Sequence, residues 1–444
     1  MVRPSFTTAL AVAALAGSAL AQSNAKGTRD KPCPADSPCC GLYGDCGIGA
    51  FCLGGCDITM SHSIKSCVPN PICKSGDYKM NSLDDVQDIS KYLGDNSKIN
   101  WQSQGKPLKY KDENLLLTMY EDSDGSLLAS TFYVWYGKIC ARMTSSQGKG
   151  VVTAFIMMSD VKDEIDFEWI GADISTVQSN YYSQGAIDYT KTKNLTVDDS
   201  TKWHDYCIDW KPEELKWSVD GKEVRTVKKS DTWNSTDNRF AYPQTPARVM
   251  ISLWPAGKKT NAKGTIDWAG GEIDWHSKYM LSGGYYAAGI SSVSVQCYDP
   301  PAGAKKNGDK SYKYTDKAAT NNTIELSNDI VVLGSLDGSG ENPGEASKTQ
   351  SSSQSTKTAL QVPGAIIGGA HQDAPTGSAN SGSGGNNGQS SGGNSNGGTA
   401  GGEFVQGLNS PASNSFGVSV EPGLGKVGGS ALAIVVAILG LIAL

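Results

Sequence analysis

From Asp163 to Gly171 the chain reads Asp-Glu-Ile-Asp-Phe-Glu-Trp-Ile-Gly, so acidic and large apolar side chains alternate without a break. A period of two marks a strand, because successive side chains on a pleated backbone leave opposite faces. Glu164, Asp166 and Glu168 therefore share one face, and Ile165, Phe167 and Trp169 share the other. Neighbours on the acidic face stand roughly 7 Å apart, so their repulsion raises at least one pKa. Such a face is costly for stability alone. It predicts a sheet with one packed side and one working side.

The surroundings agree. Residues 76–302 hold all ten tryptophans, many short alternating runs, and turn pairs such as Asp124-Gly125 and Asp220-Gly221, with no long stretch at helical spacing. This predicts an all-β domain of sandwich or barrel type. Residues 22–75 carry eight of the eleven cysteines, at 33, 39, 40, 46, 52, 56, 67 and 73. Cross-links at that density stand in for a core that so short a segment cannot build. A pair among Cys140, Cys207 and Cys297 is expected in the β domain, and an odd total leaves one cysteine over.

The two ends read as addresses rather than structure. Residues 1–21 combine Arg3, the apolar run Ala9 to Leu20 and an Ala19-Leu20-Ala21 cleavage site, the pattern of a secretory signal peptide. From residue 303 the aromatics fade and beyond Gly340 Ser, Gly, Asn and Thr dominate, so residues 303–413 are expected to form a flexible, O-glycosylated stalk. In residues 414–444 the apolar tail from Ala431 is shorter than the roughly 20 residues of a spanning helix. With small residues around Ser413 and Asn414, it reads as a GPI-anchor signal, removed and replaced by lipid. Sequons at Asn194, Asn234 and Asn321 fit the same secretory route.

Several chemistries drop out. A net charge of −6 without basic clusters gives no footprint for nucleic acid. The four histidines, 62, 204, 276 and 371, have no spacing suited to catalytic zinc, so neither metal nor cofactor is expected. Gly393-Asn-Ser-Asn-Gly397 has the spacing of a serine-hydrolase elbow but lies in the stalk, not between a strand and a helix.

What three acids on one face can do is glycosidic chemistry, which needs a carboxylate nucleophile or base beside a carboxylic acid. Retention of configuration needs the two carboxyls about 5 to 5.5 Å apart, whereas Cα atoms four residues apart on a strand lie about 13 Å apart. The Glu164 and Glu168 side chains must then lean together over Asp166. Alternation along Arg248-Val-Met-Ile-Ser-Leu-Trp254 sets Arg248, Met250, Ser252 and Trp254 on one face and Val249, Ile251 and Leu253 on the other. Trp254 is thereby a candidate platform for a sugar ring. One of Tyr181 and Tyr182 faces inward and the other is free to stack.

Glu164-Ile-Asp-Phe-Glu168 resembles the E-x-D-x-E signature of glycoside hydrolase family 16. Tyr136 to Met143, Asn180 to Gly185, Trp203 to Trp210, Trp217 to Gly221 and Gly264 to Gly271 resemble that family's strands in the expected order. Together with the signal peptide, stalk and anchor signal, they resemble the fungal Crh subgroup, the chitin-glucan crosslinking transglycosylases. The resemblance implies a β-jelly-roll with the acids on a concave face. It implies Glu164 as nucleophile, Glu168 as general acid and then base, and Asp166 as the bridge that orients Glu164. It further implies sugar contacts at Glu168, Met250, Trp254 and Thr265, although relatives often carry a basic residue where Met250 stands. The implied partners are chitin and β-glucan, met at the outer face of the plasma membrane or in the wall through a GPI lipid.

Cys33-x5-Cys39-Cys40-x5-Cys46-x5-Cys52-x3-Cys56 resembles hevein-like chitin-binding modules. Where that family places a Ser and three aromatics, this chain has Gly41, Tyr43, Asp45 and Phe51, leaving weak chitin binding and a purely structural knot both open. Two further classes stand beside a wall transglycosylase: a plain endo-β-glucanase, and a lectin or adhesin without catalysis. The intact acids argue against the lectin.

Overall fold

The computed structural model describes residues 25–111 and 113–344. The signal peptide, the stalk beyond 344 and the anchor signal lie outside the described residues. Two eight-stranded sheets pack face to face as a jelly-roll sandwich. In spatial order the acid sheet runs Lys193–Thr196, Thr176–Tyr182, Glu164–Ile170, Val151–Ser159, Ala247–Pro255, Ser126–Val134, Trp101–Gln104, Val86–Asp88. Only its last pair is parallel. The outer sheet runs Lys222–Lys228, Glu214–Val219, His204–Trp210, Gly137–Met143, Tyr285–Cys297, Asn114–Tyr120, Leu108–Tyr110, with Gly76–Lys79 also paired to Tyr285–Cys297.

Alternation decides what lies between them. Ile165, Phe167 and Trp169 point into the core with Phe155, Met157, Val249, Ile251 and Leu253, and meet Ile139, Leu117, Tyr206, Ile208 and Trp217 of the outer sheet. The hairpin joining Glu214–Val219 to Lys222–Lys228 turns on Asp220 and Gly221 with φ of 49° and 77°. Two positive φ values in succession define the turn whose twist suits a tight hairpin.

The cysteine module is laced by Cys33–Cys46, Cys39–Cys52 and Cys56–Cys67, and Cys73–Cys297 ties it to the sandwich. Cys140 and Cys207 sit opposite each other on neighbouring strands and are bonded. Cys40 is the cysteine left over, buried and unpaired.

One expectation is corrected. Residues 303–344 do not open a stalk. Strands Lys305–Lys306, Ser311–Tyr314 and Ile324–Ser327 form a four-stranded sheet with the module's Asn70–Pro71. Tyr312, Tyr314, Ile324 and Leu326 join the main core, and Leu333 packs with Leu53, Val68 and Tyr92. The segment then crosses the module, where Gly49 N–H donates to Gly338 O at 2.7 Å and Gly340 N–H to Ser66 O at 2.8 Å. Four apolar side chains at alternate positions suffice to bury a segment whose average composition is polar.

Candidate active site

The acid strand is held from behind and from its start. Its apolar side chains are locked in the core, and Trp217 Nε1 of the outer sheet donates to Asp166 O at 2.9 Å. Just before it, Asp163 accepts from the Gln184 amide at 2.8 Å, the Gln244 and Thr245 amides at 2.9 Å, and the Thr245 hydroxyl at 2.6 Å. A carboxylate with so many donors fixes where the strand begins. Burial still raises the Asp163 pKa, those hydrogen bonds opposing it.

On the working face, Glu164, Asp166 and Glu168 stand opposite Tyr182, Asn180 and Gln178 on one side and Met158, Ile156 and Ala154 on the other. Burial, then the Glu168 and Glu164 carboxylates, hold Asp166 well above the ordinary carboxylate range, against the pull of Arg225 and the Asn180 amide. The central acid thus favours its neutral form, able to donate a proton in a hydrogen bond. Burial and the same acids push the Tyr182 phenol up. Tyr181 is the inward member of the pair, lodged near Trp217 under Arg225.

Beyond Glu168 the face ends in aromatic rings. Trp254 stacks on Trp268, centroids 6.1 Å apart, and Trp268 Nε1 donates to Gln178 Oε1 at 3.0 Å. Trp268 and Thr265 belong to the short helix Lys263–Trp268 and both are buried. Trp254 and Thr265 therefore gather at the Glu168 end.

The Glycosyl hydrolases family 16 model matches residues 95–270. Crh-like protein 2 of Aspergillus fumigatus is 46% identical over 86% of this chain and 87% of its own. The chain belongs to glycosyl hydrolase family 16. Within the family its relatives are Crh-like proteins: Congo red hypersensitive protein 2 of Saccharomyces cerevisiae is 43% identical over 72% of this chain and 69% of its own. Among solved structures, a Crh5 transglycosylase in complex with NAG is 29% identical, with a TM-score of 0.48, covering 59% of this chain and 97% of that one. The protein is thus an enzyme of the glycosidase and transglycosylase class, and a lectin without catalysis is not favoured.

The acids are enclosed: Glu164, Asp166 and Glu168 are 2%, 1% and 1% exposed. The cover is the cysteine module. Leu42 packs in one apolar cluster with Leu127, Ala129, Ala154, Ile156, Met158 and Met250 of the acid sheet, and Tyr43 lies against that cluster. Burial, Glu164 and Glu168 together push the Tyr43 phenol above its usual range. Met250, expected to meet sugar, is thus occupied by Leu42, because a thioether in place of a basic group leaves an apolar patch. Of the other positions aligned with the hevein-like binding set, Phe51 is buried and Asp45 pairs with Lys26 at 2.6 Å.

Sequence reasoning gave no role to Asp163, Gln178, Asn180 and Trp268, and it placed Tyr182 only as one of two residues able to stack and Tyr43 only within the cysteine module. The alternation of Gln178-Ser-Asn-Tyr-Tyr182 carried a signal for Gln178 and Asn180, which share a face with Tyr182. Nothing local places Tyr43 over the acids.

Proposed function

We propose that this chain cuts chitin with retention of configuration and transfers the cut end to β-glucan or chitin in the fungal cell wall. The carrying observation is a neutral-leaning Asp166 flanked on one face by Glu164 and Glu168. Glu164 attacks the anomeric carbon while Glu168 gives its proton to the departing oxygen, leaving a glycosyl ester on Glu164. Glu168 then takes the proton of an acceptor hydroxyl, whose oxygen displaces Glu164 and restores both groups. Asp166 holds the Glu164 carboxylate in line. Trp254, Thr265 and Glu168 contact the glycan. Transfer outruns hydrolysis when the acceptor is positioned, because orientation supplies effective molarities of about 10⁵ M or more.

Glu164→Gln should abolish turnover. Glu168→Ala should be slow on ordinary glycans, on the order of 10²-fold or more, and recover with azide or an activated leaving group. Wild-type rates in either variant remove these residues from the mechanism. Adding acceptor oligosaccharide should lengthen products. An endo-β-glucanase would instead yield only reducing ends, with acceptor acting as an inhibitor. The protein works at the cell wall, and we place it there through a GPI lipid added near Ser413 or Asn414. Phosphatidylinositol-specific phospholipase should release it from membranes, whereas a mature C-terminal peptide ending at Leu444 overturns the anchor.

A further inference from the structure

We propose that the cysteine module is an intramolecular plug: docked on the acid sheet, it closes the glycan groove, and polysaccharide reaches Glu164 and Glu168 only when the module lifts. This rests on those acids being the catalytic pair.

The geometry is that of a stopper. Three acids of the concave face are at most 2% exposed, a degree of burial that no polymer threading the groove could meet. Leu42 and Tyr43 fill the space above Ile156, Met158 and Met250, between the acid strand and Ala247–Pro255. Gly54 rests on the Arg248 guanidinium so closely that any side chain there would overlap it. Gly55 N–H donates to Asp160 Oδ1 at 2.9 Å and to Tyr133 Oη at 3.3 Å, and Tyr133 Oη donates to Asp160 at 2.7 Å. Lys162 approaches Asp57 at 3.9 Å.

The cover fits the groove's shape but not its chemistry. On the same face, the side-chain oxygens of Gln102, Gln104 and Ser252 and one Arg248 nitrogen are buried without a hydrogen bond among the described residues. An interface built to stay shut satisfies such groups, since each costs about 1 to 3 kcal/mol when stranded. A glycan carries hydroxyls at the spacing of a ring and can meet them where Leu42 cannot. Groove and module are matched for exchange: the module supplies apolar cover, the polymer supplies hydrogen bonds.

The test uses the full chain. Gly54→Leu wedges the module from Arg248, and Leu42→Asp sets a carboxylate in the apolar contact facing the acids. Neither touches the catalytic residues. With the closed form dominant, activity scales with the open fraction, so both variants should raise kcat/KM on chitohexaose at least about tenfold. Hydrogen exchange gives a second readout that does not depend on turnover or on those variants folding. In the Glu164→Gln chain, added chitohexaose should speed exchange at the Gly55 amide while slowing it along Gln178–Tyr182. If Gly55 stays protected while the hexamer binds, or folded wedge variants lose rather than gain rate, the module is a fixed wall of the site and the plug is overturned. If Gly54→Leu frees the Gly55 amide yet no glycan is turned over, the catalytic assignment has failed and the docking has not.

Discussion

Asp160 carries a sharp pH dependence at the residue scale. Burial lifts its pKa from 3.8 to about 6, with the Tyr133 hydroxyl, Arg248 and the Gly55 amide opposing the rise. Because the folded state holds the proton to higher pH than the unfolded chain, this group's favourable share is complete below about pH 4 and lost as pH climbs through about 6. The charged form then costs on the order of 2 to 3 kcal/mol. Asp160→Asn keeps an acceptor for both donors and should stabilise the protein at pH 7.5, with the gain vanishing near pH 4. Equal denaturant midpoints for wild type and variant at both pH values would contradict this. Cys40 gives a second expectation. Burial, reinforced by Asp57, pushes its thiol up to about 12, so it should not react with a disulfide reagent in the native protein and should appear as one thiol on unfolding.

At the scale of elements, the acid strand depends on a tryptophan from the opposite sheet. Trp217→Phe deletes the indole donor to Asp166 O and part of the packing beneath it. It should cost about 1 to 3 kcal/mol of stability and lower kcat more than it raises KM, since the strand that carries the acids loses its backing. This strand was legible in sequence because one period-two run names both faces at once, and Arg248 to Trp254 was legible for the same reason. Ser311–Tyr314 and Ile324–Ser327 were not: each is four residues long, set in polar surroundings, and signals only when paired. Trp268 escaped because its role depends on a short helix folding back over Trp254. The seat of the module had no sequence signature at all. It relies on the backbone of Gly54 and Gly55 and on contacts 78 and 105 residues away.

At the scale of the whole molecule, the two ends of the described chain hold each other. Residues 331–344 cross the module, so a chain ending at Asp329 loses buried Leu333, worth about 1.5 to 3 kcal/mol, and the bonds at Gly338 and Gly340. Compared with a chain ending at Gly344, it should unfold at lower temperature and be cut by protease within the module. Unchanged melting and an unchanged digest would show that the crossing segment does no holding. Chain order adds something else. The module's own bridges span 13, 13 and 11 residues and can close as soon as that segment has crossed into an oxidising compartment, whereas the bond from Cys73 waits for Cys297, 224 residues on. Asp160 and Arg248 likewise emerge after the module. The newborn protein therefore possesses its stopper before it possesses a groove, and the groove is filled as it forms. On the plug proposed above, the acids are covered from the moment the groove closes, and their exposure waits on a glycan that takes the module's place.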